Sequence, residues 1–495
     1  MTPTIAVPQV KEAAARGSRW IDHWDPEDTA FWEASGRYTA RKNLIFSIFA
    51  EHIGFSIWVI WTIVVLNLAN VGITMSLSEL FWLTAIPNLV GSFLRIPYTF
   101  AVPHFGGRLW TTISASLLLI PCLLLAIVVP SGWVADMSHG TQFWVLFGCA
   151  ATAGFGGGNF SSSMANISFF YPEGKKGLAL GLNAAGGNMG VAMAQLLVPL
   201  AVIVGVPAAA VKLPVHEVHV AYAGVLFMPF IVLAAFCAWW YMDSLTQAKA
   251  DTTSYKRALG SSHTWIMSVL YIGTFGSFIG YSFALPLVIK NTFPDFLANH
   301  AFIATYLAGL GFIGALLGSI ARPLGGSLAD RIGGARVTLV CFVGMGLFTV
   351  LAIVGVQHRS FGVFFFSYMC IFVLSGAGNG STYRMIPSIF AQIGRRESGD
   401  PIDYKRRAAA VIGIAGAIGA FGGFLIQVVF RHASLDVAAA VKAAKTPAEK
   451  VAVASARSDW SVSALYVFLV AYAVLALITW TVYLRRSADM AQAAI

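Results

Sequence analysis

The chain has 495 residues, of which 57% are hydrophobic and only 11% charged, with a mean hydropathy of +0.73. So little polar surface excludes a water-soluble globular protein. A formal net charge of +10 would suit nucleic acid in a soluble chain, but in an apolar one its meaning depends on where the charges fall.

Residues 1–43 are polar, passing through Trp20-Ile21-Asp22-His23-Trp24-Asp25-Pro26-Glu27-Asp28 to Arg37, Arg41 and Lys42, and they lack the short apolar core of a cleaved signal. They read as a cytoplasmic tail. Stretches near the roughly 20 apolar residues that a bilayer helix needs follow at 44–68, 78–103, 109–130, 142–170, 177–203 and 219–242. A polar loop at 243–263 precedes six more, at 264–289, 303–329, 336–357, 361–390, 408–430 and 462–484, and residues 485–495 form a short C-terminus. The runs are continuous, whereas porin strands alternate over about ten residues. The expected class is therefore all-α and polytopic, with 12 transmembrane helices in two six-helix bundles, 44–242 and 264–484.

Sorting the 32 Lys and Arg residues by loop puts 21 on the side of the tail, including Lys11, Arg16, Arg108, Lys175, Lys176, Lys249, Arg331, Arg336, Arg395 and Arg486. The opposite loops hold eight, among them Lys212, Lys290 and Arg359, so the bias places both termini in the cytoplasm of an inner-membrane protein. No nucleic-acid partner is implied. Cys122, Cys149, Cys237, Cys341 and Cys370 lie in or at the ends of spans without metal-ligand spacing, so they read as packing residues and no cofactor or metal is expected.

Three arginines remain, and all fall inside apolar spans: Arg95 in the second, Arg322 in the eighth and Arg384 toward the inner end of the tenth. An arginine cannot shed its charge, and at the bilayer centre it costs at least about 2.5–3.5 kcal/mol. Arg95 and Arg322 each stand 11 residues before a Gly-Gly pair. Equivalent placement predicts that they face each other at similar depth and offer paired guanidinium groups to a small anion; the alternative is an arginine snorkelling to the interface. The first span carries Glu51 and His52 about two turns from its start. Of ten histidines only His52 lies well inside a span, which argues against a membrane-embedded enzyme built on histidine.

Glycine concentrates in Gly154-Phe155-Gly156-Gly157-Gly158-Asn159-Phe160, in Gly181 to Gly190 around Asn188, and in Gly413 to Gly423. Small faces of this kind let helices approach and slide in lipid. Asn188 is an uncharged donor that suits either an anion or an interhelical hydrogen bond. The halves also match. A displacement of 227 carries Arg95 onto Arg322, Gly106-Gly107 onto Gly333-Gly334 and Thr111 onto Thr338. A displacement of 220 carries Gly158-Asn159 onto Gly378-Asn379, Ser161 onto Ser381 and Phe170 onto Phe390. One duplication with a small change in loop length accounts for both.

The six-plus-six plan resembles the major facilitator superfamily, where substrate sits between the halves near the midplane. Gly325-Gly326-Ser327-Leu328-Ala329-Asp330-Arg331-Ile332-Gly333-Gly334-Ala335-Arg336 resembles that superfamily's cytoplasmic loop motif. There Asp330 is expected to pair with Arg331 or Arg336 and hold the inner gate, the alternative being an ordinary charged turn. Residues 158–170, the glycine stretches, Leu94-Arg95-Ile96-Pro97-Tyr98 and Trp265 through Gly280 resemble NarK-type nitrate/nitrite transporters along nearly the whole chain. The resemblance implies a nitrate or nitrite ion between Arg95 and Arg322, hydrogen-bonded by Asn188 and Tyr271 and sandwiched by Phe160 and Phe275, in a protein that works as a monomer by alternating access.

The resemblance leaves the coupling open. A site of arginines suits exchange of one monovalent anion for another, nitrate in and nitrite out, which is the reading adopted; proton symport requires a titratable group near the pathway, and Glu51 is the candidate. Glu51 and Arg384 both depart from the family pattern, and their expected role is a structural or gating ion pair, Glu51 bonding to Arg384 or another base near the inner surface. A porter for small carboxylates is the remaining alternative.

Overall fold

The computed structural model describes residues 19–204, 219–248, 252–397 and 401–485. The charges assigned to Lys11, Arg16, Lys212, Lys249 and Arg486 lie outside the described residues, as do positions 1–18 of the tail and most of the C-terminus. Eleven described helices are long and apolar enough to cross a membrane. In chain order they are α1 Thr29–Val71, α2 Leu77–Phe105, α3 Gly107–Ile127, α5 Glu173–Ile203, α6 Ala221–Tyr241, α7 Ser262–Thr292, α8 Ala308–Ile332, α9 Gly334–Gln357, α10 Phe361–Glu397, α11 Asp403–Ala433 and α12 Val462–Leu484. The fourth expected span is helical in two pieces, α4a His139–Thr152 and α4b Gly154–Phe170. Its second piece is built of Gly, Ser and Asn, which lowers its hydropathy although most of it is buried in protein.

Helix α1 starts well before residue 44. Asp28 caps it, accepting from the backbone N–H groups of Ala30 at 2.8 Å and Phe31 at 3.3 Å. The preceding residues dock on the N-terminal half. Trp20–Ile21 (β1) pairs in parallel with Ser244–Leu245 (β2), and Trp24 packs edge-on against Phe170. Asp243 accepts from Lys42 at 2.8 Å and from Asn43 at 2.9 Å.

The repeat seen in sequence recurs in backbone. Helix α2 ends at Gly106 (φ +80°) and α8 at Gly333 (φ +92°), a conformation that favours glycine, and each glycine leads directly into the next span. Within the first half α1 packs on α5 and α2 on α4b; within the second α8 and α9 pack on α10, and α7 on α11. The halves meet where α2 crosses α11 and α5 crosses α8.

That seam is closed at one end and open at the other. Away from the tail, Thr84 donates to Gln427 at 2.9 Å, Arg431 to Ser78 at 2.9 Å, Lys290 to the Leu66 carbonyl at 2.6 Å and Gln195 to the Ser282 carbonyl at 2.6 Å. Phe81 stacks on Phe430 nearby. At the tail end a cavity of about 1200 Å³ separates the halves, with Thr99, Ser161 and Met164 on one wall and Tyr255, Tyr383 and Pro387 on the other. Arg395, Lys405 and Arg406 stand around it.

Candidate anion-binding site

The arginine pair sits on the seam between the halves. Arg95 is fully buried and Arg322 is 4% exposed. Their guanidinium groups converge on the same ring: Cζ of Arg95 lies 4.6 Å and Cζ of Arg322 5.5 Å from the Phe160 centroid. The Phe275 ring, supplied by the other half, faces Phe160 at 6.1 Å between centroids and 18° between planes, with Arg95 5.0 Å from it. Tyr271 stacks on Phe275 at 5.4 Å and accepts a long hydrogen bond, 3.4 Å, from Arg322 Nη2.

Glycine backbone makes this arrangement possible. Arg95 Nε donates to the Gly157 carbonyl at 3.0 Å, and Nη1 donates across the seam to the Gly416 carbonyl at 2.7 Å. Trp58 lies 5.5 Å from the same guanidinium and is fixed by a 2.7 Å bond from Nε1 to the Pro87 carbonyl. A Cβ at Gly157 would stand 2.4 Å from that indole, so the room for Trp58 exists only because α4b offers bare backbone there.

What these contacts leave over is more telling than what they satisfy. Arg95 Nη2 and Arg322 Nη1 are buried without a hydrogen-bond partner, and so are both amide atoms of Asn188 and of Asn379. Buried donors are nearly always paired, and an unpaired one costs about 1–3 kcal/mol, more if charged. Two half-satisfied guanidinium groups, one from each half and sharing the Phe160 ring, make a donor-rich, positively charged site. It suits a small anion whose oxygens accept in several directions.

The other residues singled out from sequence fall elsewhere. Arg384 pairs with Asp330, and both are about half exposed at the tail end of α10 and α8. Asp330 therefore does not take Arg331 or Arg336 as its partner, and Arg331 stays exposed. Glu51 does not pair with Arg384: its carboxylate is fully buried and neither oxygen has a hydrogen-bond partner. The expected ion pair does not form because Arg384 finds an acid, Asp330, on the neighbouring helix of its own half, whereas Glu51 is buried on α1 in the other half. Two aromatic residues not expected from the sequence also border the arginines, Trp58 and Tyr383; Tyr383 lies 5.3 Å from Arg322 Cζ and 5.0 Å from the Tyr271 ring. Tyr383 sits just after the Gly378-Asn379 repeat, which was the available signal.

The Major Facilitator Superfamily profile matches residues 44–427. The nitrate/nitrite transporter NarU of Escherichia coli is 36% identical, over 95% of this chain and 98% of that protein. The probable nitrate/nitrite antiporter NarK2 of Thermus thermophilus is 36% identical over 84% and 89%. A crystal structure of a D-xylose–proton symporter superposes with a TM-score of 0.64 at 14% identity, covering 92% of this chain and 99% of that one. A bacterial homologue of the lysosomal transporter Spinster, inward-facing and occupied, gives 0.59 at 16% over 88% and 95%. The two solved structures share the fold alone.

Proposed function

This chain belongs to the nitrate/nitrite porters of the Major Facilitator Superfamily, a family of transporters and not of enzymes, and from that premise we propose that it exchanges nitrate for nitrite across the inner membrane by alternating access. The observation that carries the proposal is the pair of unpartnered guanidinium nitrogens, one from each half; the unpartnered Asn188 amide on α5 supports it. A planar anion placed there accepts from both halves at once and lies against the faces of Phe160 and Phe275. Asn188 and Tyr271 complete its hydrogen bonds.

Exchange follows from the chemistry of the donors. Guanidinium groups hold their charge throughout the physiological range, and leaving buried charges uncompensated costs several kcal/mol. The arginines alone therefore favour a carrier that turns over only when loaded, which is an antiporter. The positive-inside bias supports a cytoplasmic tail, and on that reading the open cavity faces the cytoplasm in an inward-open stage of the cycle.

The test is labelled nitrate uptake into proteoliposomes loaded with nitrite, with formate, or with no permeant anion. Strong stimulation by internal nitrite and little by formate is expected. Formate or acetate uptake that persists at high nitrate would instead make this a carboxylate porter.

A further inference from the structure

The arginine site has an internal acid that the exchange reading does not use. Glu51, on α1, is fully buried, and neither carboxylate oxygen is hydrogen-bonded. Its side chain runs against α5: a Cβ at Gly187, next to Asn188, would stand 2.6 Å from Glu51 Cγ. One turn further along α1, Phe55 packs on the Phe160 ring at 6.0 Å, and that ring is the one both arginines share. Arg95 on α2 and Arg322 on α8 are the cations gathered on that ring. From α4b the Ser163 hydroxyl lies alongside, already engaged by Asn183 at 2.6 Å and Ser47 at 3.0 Å. His52 is turned away, with Nδ1 against the Gly186 carbonyl at 3.0 Å. Among the described residues, Tyr271 on α7 and Tyr383 on α10 are further titratable neighbours, both against Arg322.

An acid held beside two cations, with neither oxygen committed to a fixed partner, can answer the charge state of the pocket. We propose that Glu51 is a proton-binding residue of the anion site, ionised when the site is empty and protonated when nitrate or nitrite occupies it. The inference rests on the exchange reading and extends it. With no anion present, the carboxylate supplies the missing counter-charge, and the empty carrier can return across the membrane. When an anion arrives, Glu51 takes one proton from the same side. The loaded form then carries one anion and one proton and releases both on the other side. In exchange, one anion replaces the other while Glu51 stays protonated, so no proton crosses. The same protein thus performs exchange and, where no counter-anion is available, net uptake of one proton with each anion.

Two assays in proteoliposomes separate the modes: labelled nitrate uptake against internal nitrite at equal pH, and uptake into anion-free vesicles with the outside acidified. The wild type is expected to show both. In Glu51→Gln, a side chain that mimics the protonated form, the ratio of proton-driven uptake to exchange falls at least about tenfold, and the dependence of net uptake on external pH flattens. Glu51→Asp keeps a carboxylate and restores net uptake in part, with a displaced pH profile. Wild-type protein that exchanges but never accumulates nitrate on a pH gradient overturns the inference and leaves the exchange reading intact. So does a Glu51→Gln variant that keeps the ratio, or one that loses both modes equally. Wild-type net uptake without any stimulation by nitrite overturns the exchange reading instead.

Discussion

Arg95 and Arg322 are held by contacts that leave one nitrogen of each idle, and those contacts are made to groups a mutation can move. Tyr271 is the clearest case, because its ring is pinned between Phe275 and α11. A Cβ on Gly419 would stand 2.3 Å from Tyr271 Cδ1, far inside ordinary contact. Gly419→Ala is therefore expected to displace the ring that meets Arg322 and to lower nitrate transport roughly tenfold or more, mainly by weakening binding. Gly148→Ala, where an added Cβ meets nothing within 4 Å, serves as the control and is expected to transport as the wild type does. Uptake kinetics on the two variants check this; an undisturbed Gly419→Ala would mean Tyr271 has no part in the site. The arginines were legible in the sequence because charge is so rare inside an apolar span and because one displacement joins them. Trp58 was not, since an aromatic in an apolar helix has many packing uses, and only the approach of α4b shows which one it has.

Among the helices, the glycine stretches mark where backbones meet. A Cβ at Gly156 would lie 2.0 Å from the Gly54 carbonyl on α1, and one at Gly376 2.1 Å from the Gly318 carbonyl on α8, so the two halves use glycine in the same way. The fourth span was legible as a run over 142–170, but its break at Ala153 into two helices was not, because composition does not show where a buried helix turns. The motif around Asp330 was legible as a helix end but not as a partner choice. Its acid joins α8 to α10 through Arg384 inside one half, so it holds those helices together and is not a latch between halves. With both groups about half exposed, the pair contributes little. Asp330→Asn and Arg384→Gln are each expected to change stability by less than about 1 kcal/mol, read from thermal unfolding in detergent. Loss of folded protein would show that the pair matters more than its exposure allows.

At the scale of the whole molecule, a seam with one closed end and one open end is one frame of a rocking cycle. The closed end is fastened by Thr84–Gln427, Arg431–Ser78 and Lys290–Leu66, contacts between halves that must part when the site faces the other side. Arg95 itself donates across the seam to the Gly416 carbonyl, so the site is one of the places where the halves touch. The duplication was readable in the sequence; which end stands open was not, because it depends on contacts between residues hundreds of positions apart. The central claim is that one arginine from each half together make the site. It is tested most directly by labelled nitrate uptake into nitrite-loaded proteoliposomes bearing Arg95→Lys or Arg322→Lys. An ammonium keeps the charge but lacks the planar fork that reaches a carbonyl and an anion together. The account predicts that each variant purifies as folded protein and loses transport by roughly 100-fold or more. Normal transport by either one would contradict it.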